Sequence, residues 1–398
     1  MTDLFVTIVL LTIFAAGLKS GALTAMALRP LLTTLGAILV GALYRRFGGP
    51  VADPEAVRLF AQFGLSMLAF LAAQQCRLSR LLSVSPTAFR LAVIANPLIL
   101  AIFTATAFIL VPGLDLWGTL VVGVALVLGG APPVEKPLMS APIEEKTRCA
   151  ARLEGAACLG IALPVALIIE AGLTPTTLST PLIAQPIFKS LAGFAVGGGI
   201  GLLAGRLVPL SNAALPVLPF LVALLAFGAG LFLGFDPVMT TIAAGLLYAE
   251  EAPLRGAVRT RLWRTGERWI TPFALGAFGF LLGPILGQAD FLVWVMALIT
   301  LTAVRAGPRL LALQYSELEA QDRRFLAWFG GAPGVASALM LLSLLASPAI
   351  IVQDQPIALA TVTVFCGILI TRLSSVPLTQ RLVQETALAQ KKKRYRPA

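Results

Sequence analysis

The chain is predicted to be an all-α membrane protein of about 13 transmembrane helices. They form two inverted six-helix repeats joined by a linker helix, with two broken helices crossing at mid-membrane. Three observations predict this. Of the 398 residues, 58% are hydrophobic and only 12% are charged, with a mean hydropathy of +0.90, which is too apolar for a soluble globular domain. Apolar runs long enough to span a bilayer recur along the whole chain. Finally, Gly-Gly-Ala-Pro-x-Val occurs twice, as Gly129-Gly130-Ala131-Pro132-Pro133-Val134 and as Gly330-Gly331-Ala332-Pro333-Gly334-Val335, each time inside such a run. Pro has no N–H and Gly weakens a helix, so each motif should split a span into two half-helices at bilayer depth. Two such breaks in corresponding places are the mark of a transporter built from repeats.

The runs fall near 4–18, 30–44, 59–75, 91–112, 117–139, 153–171, 187–205, 215–234, 237–249, 270–286, 291–304, 325–346 and 356–371. The first follows Asp3 and precedes Lys19, the reverse of a signal peptide's charge order, and is expected to be a retained helix. The run 187–205 is the expected linker helix. Its Gly193, Gly197, Gly198, Gly199, Gly201 and Gly205 give it a small-sided face suited to close helix packing or a dimer contact. Asp236-Pro237 is a natural helix start. The charged stretch 250–269, with Trp263 and Trp269, is expected to lie at the membrane interface. Residues 1–380 thus form a single transmembrane transporter domain, with repeat one at about 1–175, the linker helix at about 187–205 and repeat two at about 213–375. Residues 381–398 form a basic cytoplasmic tail.

The formal charge of +11 reports topology rather than nucleic-acid binding. Alternate loops collect Arg77, Arg80 and Arg90; Lys146, Arg148 and Arg152; Arg255 to Arg268; then Arg305, Arg309, Arg323 and Arg324. The loops 172–186, 287–290 and 347–355 contain no Lys or Arg. The positive-inside rule therefore places the N-terminus outside and the C-terminus in the cytoplasm, with Arg45, Arg46 and Arg58 running against it. A bacterial inner membrane is the expected location. There is no His, and Cys76, Cys149, Cys158 and Cys366 are scattered, so metal sites and Ser-His-Asp chemistry lack their parts. No cofactor, metal or enzymatic activity is expected.

Several segments resemble the monovalent cation/proton antiporter superfamily, nearest to its bacterial sodium/proton exchanger branch. Gly64-Leu65-Ser66-Met67-Leu68-Ala69-Phe70-Leu71-Ala72-Ala73 is similar to that family's third helix, and Arg152-Leu153-Glu154-Gly155-Ala156-Ala157 to the start of its sixth. Val238 to Leu247 resembles the ninth, and Trp328-Phe329-Gly330 with Gly334-Val335-Ala336-Ser337 brackets what resembles the second broken helix. The resemblance implies the antiporter fold, transport of a small ion or solute, and a homodimer. It also shows what has changed. The family's Thr-Asp pair of the first broken helix falls on Ala131 and Pro132, and the Asn-Asp pair of the sixth helix on Gly160 and Ile161. Its buried Glu after Glu-Gly falls on Ala156, its second-break Arg on Pro333, and the Glu closing the third helix on Gln75. The usual ion site is replaced at Pro132, Gly160, Ile161 and Pro333.

The remaining candidates for ion or solute binding or coupling are Glu135, Lys136, Glu154 and Arg305. Glu135 follows the family's Asp position by three residues, about one helical turn. Lys136 adjoins it; both are alternatively solvated at the end of a half-helix. Glu154 precedes Ile161 by two turns and shares its face, or else pairs with nearby Arg148 or Arg152. Arg305 resembles the Arg ending the family's eleventh helix, yet also fits the positive-inside pattern. The broken-helix crossing itself is expected at Gly130, Ala131, Pro132 and Pro133 with Gly331, Ala332, Pro333 and Gly334. Neutral polar groups within the spans, among them Gln74, Asn96, Thr240, Thr241 and Ser337, either bind a solute or hydrogen-bond between helices.

Three functions compete. The first is a secondary active transporter of the antiporter type with a degenerate or relocated ion site. The second is a transporter of an anionic or neutral solute on the same fold, favoured by half-helix N-termini left without opposing carboxylates. The third is a non-transporting membrane subunit or scaffold with a heteromeric membrane partner.

Overall fold

A computed structural model describes residues 29–47, 53–75, 86–129, 145–173, 180–207, 217–252, 256–347 and 354–394. The run 4–18 and the candidates Gly130, Ala131, Pro132, Pro133, Glu135 and Lys136 lie outside the described residues. Among the described residues there are only helices. In chain order they are α1 (Arg29–Arg46), α2 (Pro54–Ala73), α3 (Pro86–Leu110), α4 (Leu116–Val127), α5 (Glu145–Leu173), α6 (Thr180–Leu207), α7 (Val217–Phe232), α8 (Pro237–Glu251), α9 (Gly256–Leu286), α10 (Phe291–Leu313), α11 (Ala320–Phe329), α12 (Val335–Leu345) and α13 (Asp354–Arg394). The described part of every predicted run from 30–44 onward lies on these helices, with 325–346 divided between α11 and α12 and residues 130–139 of the run 117–139 outside the described residues. Stretches within α2, α3, α6, α9, α10 and α13 are long and apolar enough to cross a bilayer unaided.

Helix starts follow local chemistry. Asp236 accepts from the N–H groups of Val238 (2.9 Å) and Met239 (3.2 Å), capping α8 as its Asp-Pro signal predicts. Asp53-Pro54 opens α2 in the same manner, and Asp115 caps α4 through Gly118 N–H. Burial raises the Asp236 carboxyl to about 6, against the opposing pull of its two capping bonds.

Two helices widen into a π turn, α3 at Arg90–Ala95 and α10 at Thr300–Val304. Each has a proline placed to cause it. The ring of Pro97 would collide with the carbonyl of residue 93, and that of Pro308 with residue 304; a widened turn at those carbonyls removes the clash without ending the helix.

Close helix contacts rest on glycine. A Cβ at Gly197 would overlap the Thr240 carbonyl, one at Gly201 would lie 2.8 Å from Ala244 Cα, and one at Gly205 would lie 2.6 Å from Glu251 Cβ. Gly193, Gly197, Gly201 and Gly205 of α6 therefore pack against α8 and the turn before it within the same chain, while Gly199 faces open space. The opposite side of α6 shows Ile187, Phe188, Leu191 and Leu203, as expected against lipid. The pair α1 and α9 packs by the same device, with Gly283 against Ala42.

From Gly256 the charged stretch is helical: it forms the first part of α9, which runs into the apolar stretch Arg268–Leu286. The basic segment after 381 is helical as far as Arg394, continuing α13.

Candidate functional site

The second Gly-Gly-Ala-Pro motif breaks its span where predicted. α11 ends at Phe329, residues 330–334 are non-helical, and α12 begins at Val335. Gly331 has φ +58°, a left-handed conformation that a residue with a Cβ adopts only at a cost. Ala332 and Pro333 are buried. The end of α4 meets this broken span: a Cβ at Gly129, just past α4, would sit 3.1 Å from Ser337 Cα in the first turn of α12.

A buried ion pair stands against the break. Arg309 Nη1 and Nη2 donate to Glu154 Oε1 and Oε2 at 2.5 and 2.7 Å, and the two side chains are 0% and 2% exposed. The planar guanidinium matches the carboxylate fork, and both oxygens are engaged. Arg309 Nε also donates to Leu326 O, at the end of α11 (3.3 Å). The predicted partners of Glu154, Arg148 and Arg152, lie on its own helix. Its actual partner is 155 residues away on α10. The glycines of the motif make room for this pair. A Cβ at Gly330 would overlap Arg309 Nη2, and one at Gly331 would lie 2.8 Å from Nη1.

Arg305, one turn before Arg309, does not reach Glu154 by hydrogen bond. It donates to the carbonyl of Trp328, and its Nε is buried without an acceptor. Behind Glu154, the Asn96 amide donates to Cys158 Sγ at 2.9 Å, so Cys158 is a satisfied packing residue. Asn96 is delivered there by the π turn of α3. At the start of α11, about two turns before the break, Thr147 of α5 donates to Asp322 at 2.6 Å, both buried.

Two turns beyond Glu154 the chemistry changes. A Cβ at Gly160 would meet Met239 Sδ at 3.0 Å and Ile242 Cδ1 at 3.1 Å, so apolar atoms of α8 occupy the space beside it. Ile161 is an exposed apolar side chain. Gln74, Ser66 and Ser337 are buried with side-chain polar atoms that have no partner.

Sequence reasoning missed Arg309 as a site residue. A signal existed: Glu154 is an acid inside an apolar run, and such a charge requires a buried cation on another helix. Ending the span at 304 placed both arginines in a loop, whereas α10 continues to Leu313.

A broken apolar span, a second one ending against it, and a buried ion pair at the break define an integral membrane transporter. The model of the family described as sodium/hydrogen exchanger, transmembrane, matches residues 8–381, so the chain belongs to the sodium/hydrogen exchanger family. It is a transporter of the cation/proton antiporter class and not an enzyme. Among solved structures it is similar to the sodium proton antiporter MjNhaP1 from Methanocaldococcus jannaschii at pH 8, with TM-score 0.66 and 16% identity over 95% of this chain and 97% of that one. It is also similar to an electron-microscopy structure of MjNhaP1, with TM-score 0.61 and 17% identity over 99% and 98% of the two chains. No curated protein matches it in sequence.

Proposed function

We propose that the protein is a secondary active transporter exchanging a monovalent cation for protons through a relocated carboxylate, Glu135, while Glu154 and Arg309 form a fixed frame. The observation that carries this reading is the bidentate, fully buried Glu154–Arg309 pair. A carboxylate whose two oxygens are held by a guanidinium is a poor proton carrier, because protonating it leaves Arg309 buried without a counter-charge. Exchange needs a carboxylate that alternates between proton and cation. With Pro132, Gly160 and Ile161 at the family's acidic and amide positions, Glu135 is the acid left in the first broken span. Lys136 beside it is the residue suited to hold it in place between turnovers. The two six-helix repeats, their inverted relation, the homodimer, the outside N-terminus and a bacterial inner membrane belong to the same proposal. No heteromeric partner is needed by it.

Vesicles containing the protein and an acid-inside gradient test the reading. Addition of sodium or potassium should dissipate the gradient, and Glu135→Gln should abolish that response. Undiminished exchange in Glu135→Gln would rule out the relocated carboxylate.

The anionic or neutral solute is the second reading, favoured by the buried, unpartnered Ser337 hydroxyl in the first turn of α12. Uptake of a labelled anion with silent cation fluxes would select it.

A further inference from the structure

Arg305 and Arg309 are one turn apart on α10 and face the same break. They share one carboxylate, and Arg309 takes both of its oxygens. Arg305 is 7% exposed, donates to Trp328 O, and has a buried Nε with no acceptor. A guanidinium in a protein stays protonated, so these three side chains carry one positive charge in excess. Of the carbonyls ending α11, those of Leu326 and Trp328 accept from the two arginines, and the dipole of that helix end is opposed by the positive end of α12.

The start of α12 adds donors. Its N-cap, Gly334, offers no side-chain acceptor to the N–H groups of the first turn. Ser337, in that turn, is 0% exposed and its hydroxyl is unpartnered. Helical Cα–Cβ bonds tilt toward the N-terminus, which aims this hydroxyl back over the break. A Cβ at Gly334 would meet nothing nearer than Ala332 O at 3.7 Å, so the backbone there is approachable. Leu301, one turn before Arg305, and Pro333 O both lie against Gly367, at 3.3 and 2.7 Å from its Cβ position. The stripe Leu301, Arg305, Arg309 therefore runs along the break toward α12.

We propose that the α11–α12 break binds one small monovalent anion of halide size, held by Arg305 and the first turn of α12 with Ser337. Excess guanidinium charge, an uncapped helix start and two buried donors without acceptors are together the chemistry of an anion site. The site goes beyond the exchange reading and does not depend on it, since Glu135 takes no part.

The test uses the full chain in lipid nanodiscs, melted in sodium chloride, sodium bromide or sodium gluconate at matched ionic strength. Chloride and bromide should raise the midpoint saturably by about 2 °C or more over gluconate. Arg305→Met should abolish that rise and melt higher than wild type in gluconate, because it removes an unpaired buried charge. Arg90→Gln, which loses only the contact to Tyr315 O, should keep the anion response. Crystals of the wild-type protein soaked in bromide should show anomalous density between Arg305 and Ser337. Labelled chloride flux then distinguishes a transported anion from a resident one, both of which satisfy the proposal. Equal wild-type midpoints in the three salts, or a rise that survives Arg305→Met, would overturn it. Should Arg305→Met fail to fold, the presence or absence of the bromide peak decides.

Discussion

Two levels of α5 only two turns apart have opposite chemistry. At Glu154 the helix keeps a charge, buried and held at both oxygens by Arg309. At Gly160 and Ile161 it presents no polar side chain, and Met239 and Ile242 of α8 close on the glycine. The difference separates two roles that share a crossing in this fold. The ion pair joins α5, α10 and the broken span into one unit. At the second level Gly160 packs on apolar atoms of α8 and Ile161 is exposed, and in the function proposed above this is the level that no longer holds an ion.

The comparison is tested most severely by breaking the frame. Arg309→Met leaves Glu154 buried and unpaired, and denaturant unfolding should show a loss of about 3–5 kcal/mol. The double variant Glu154→Gln with Arg309→Met should recover most of it; a double as unstable as the single would mean that the pair is not a closed unit. Gly330→Ala comes next. Its Cβ would press on Leu326 O at 2.6 Å and on Arg309, for a cost of about 1–3 kcal/mol, and the cost should shrink in an Arg309→Met background. At the apolar level the expected effect is smallest. The Cβ of Gly160→Ala meets the flexible end of Met239, and the melting midpoint should move by less than about 1 kcal/mol equivalent. A large loss there would show that Gly160 is as tightly specified as the frame.

Much of the scaffold was legible because its signals are local. Asp236-Pro237 caps a helix wherever it occurs, and Gly330-Gly331-Ala332-Pro333 breaks one for reasons internal to the motif. The glycine pattern on α6 announced close packing, and the structure shows α8 of the same chain as the partner of five of the six, with Gly199 left open. Of the pair, Glu154 signalled the need for a partner, but Arg309 was hidden for a physical reason. Gly307-Pro308 reads as a helix end, but the π turn at Thr300–Val304 absorbs the proline and carries α10 on to Leu313. Arg305 and Arg309 thereby move from a supposed loop to the interior.

The central claim is that Glu154 and Arg309 are frame and Glu135 is carrier. Cation-driven dissipation of a proton gradient in vesicles, measured side by side for Glu135→Gln and for the folded Glu154→Gln/Arg309→Met double variant, tests it most directly. The account predicts that Glu135→Gln is silent while the double variant still exchanges within a few-fold of wild type. A silent double variant beside an active Glu135→Gln would contradict it.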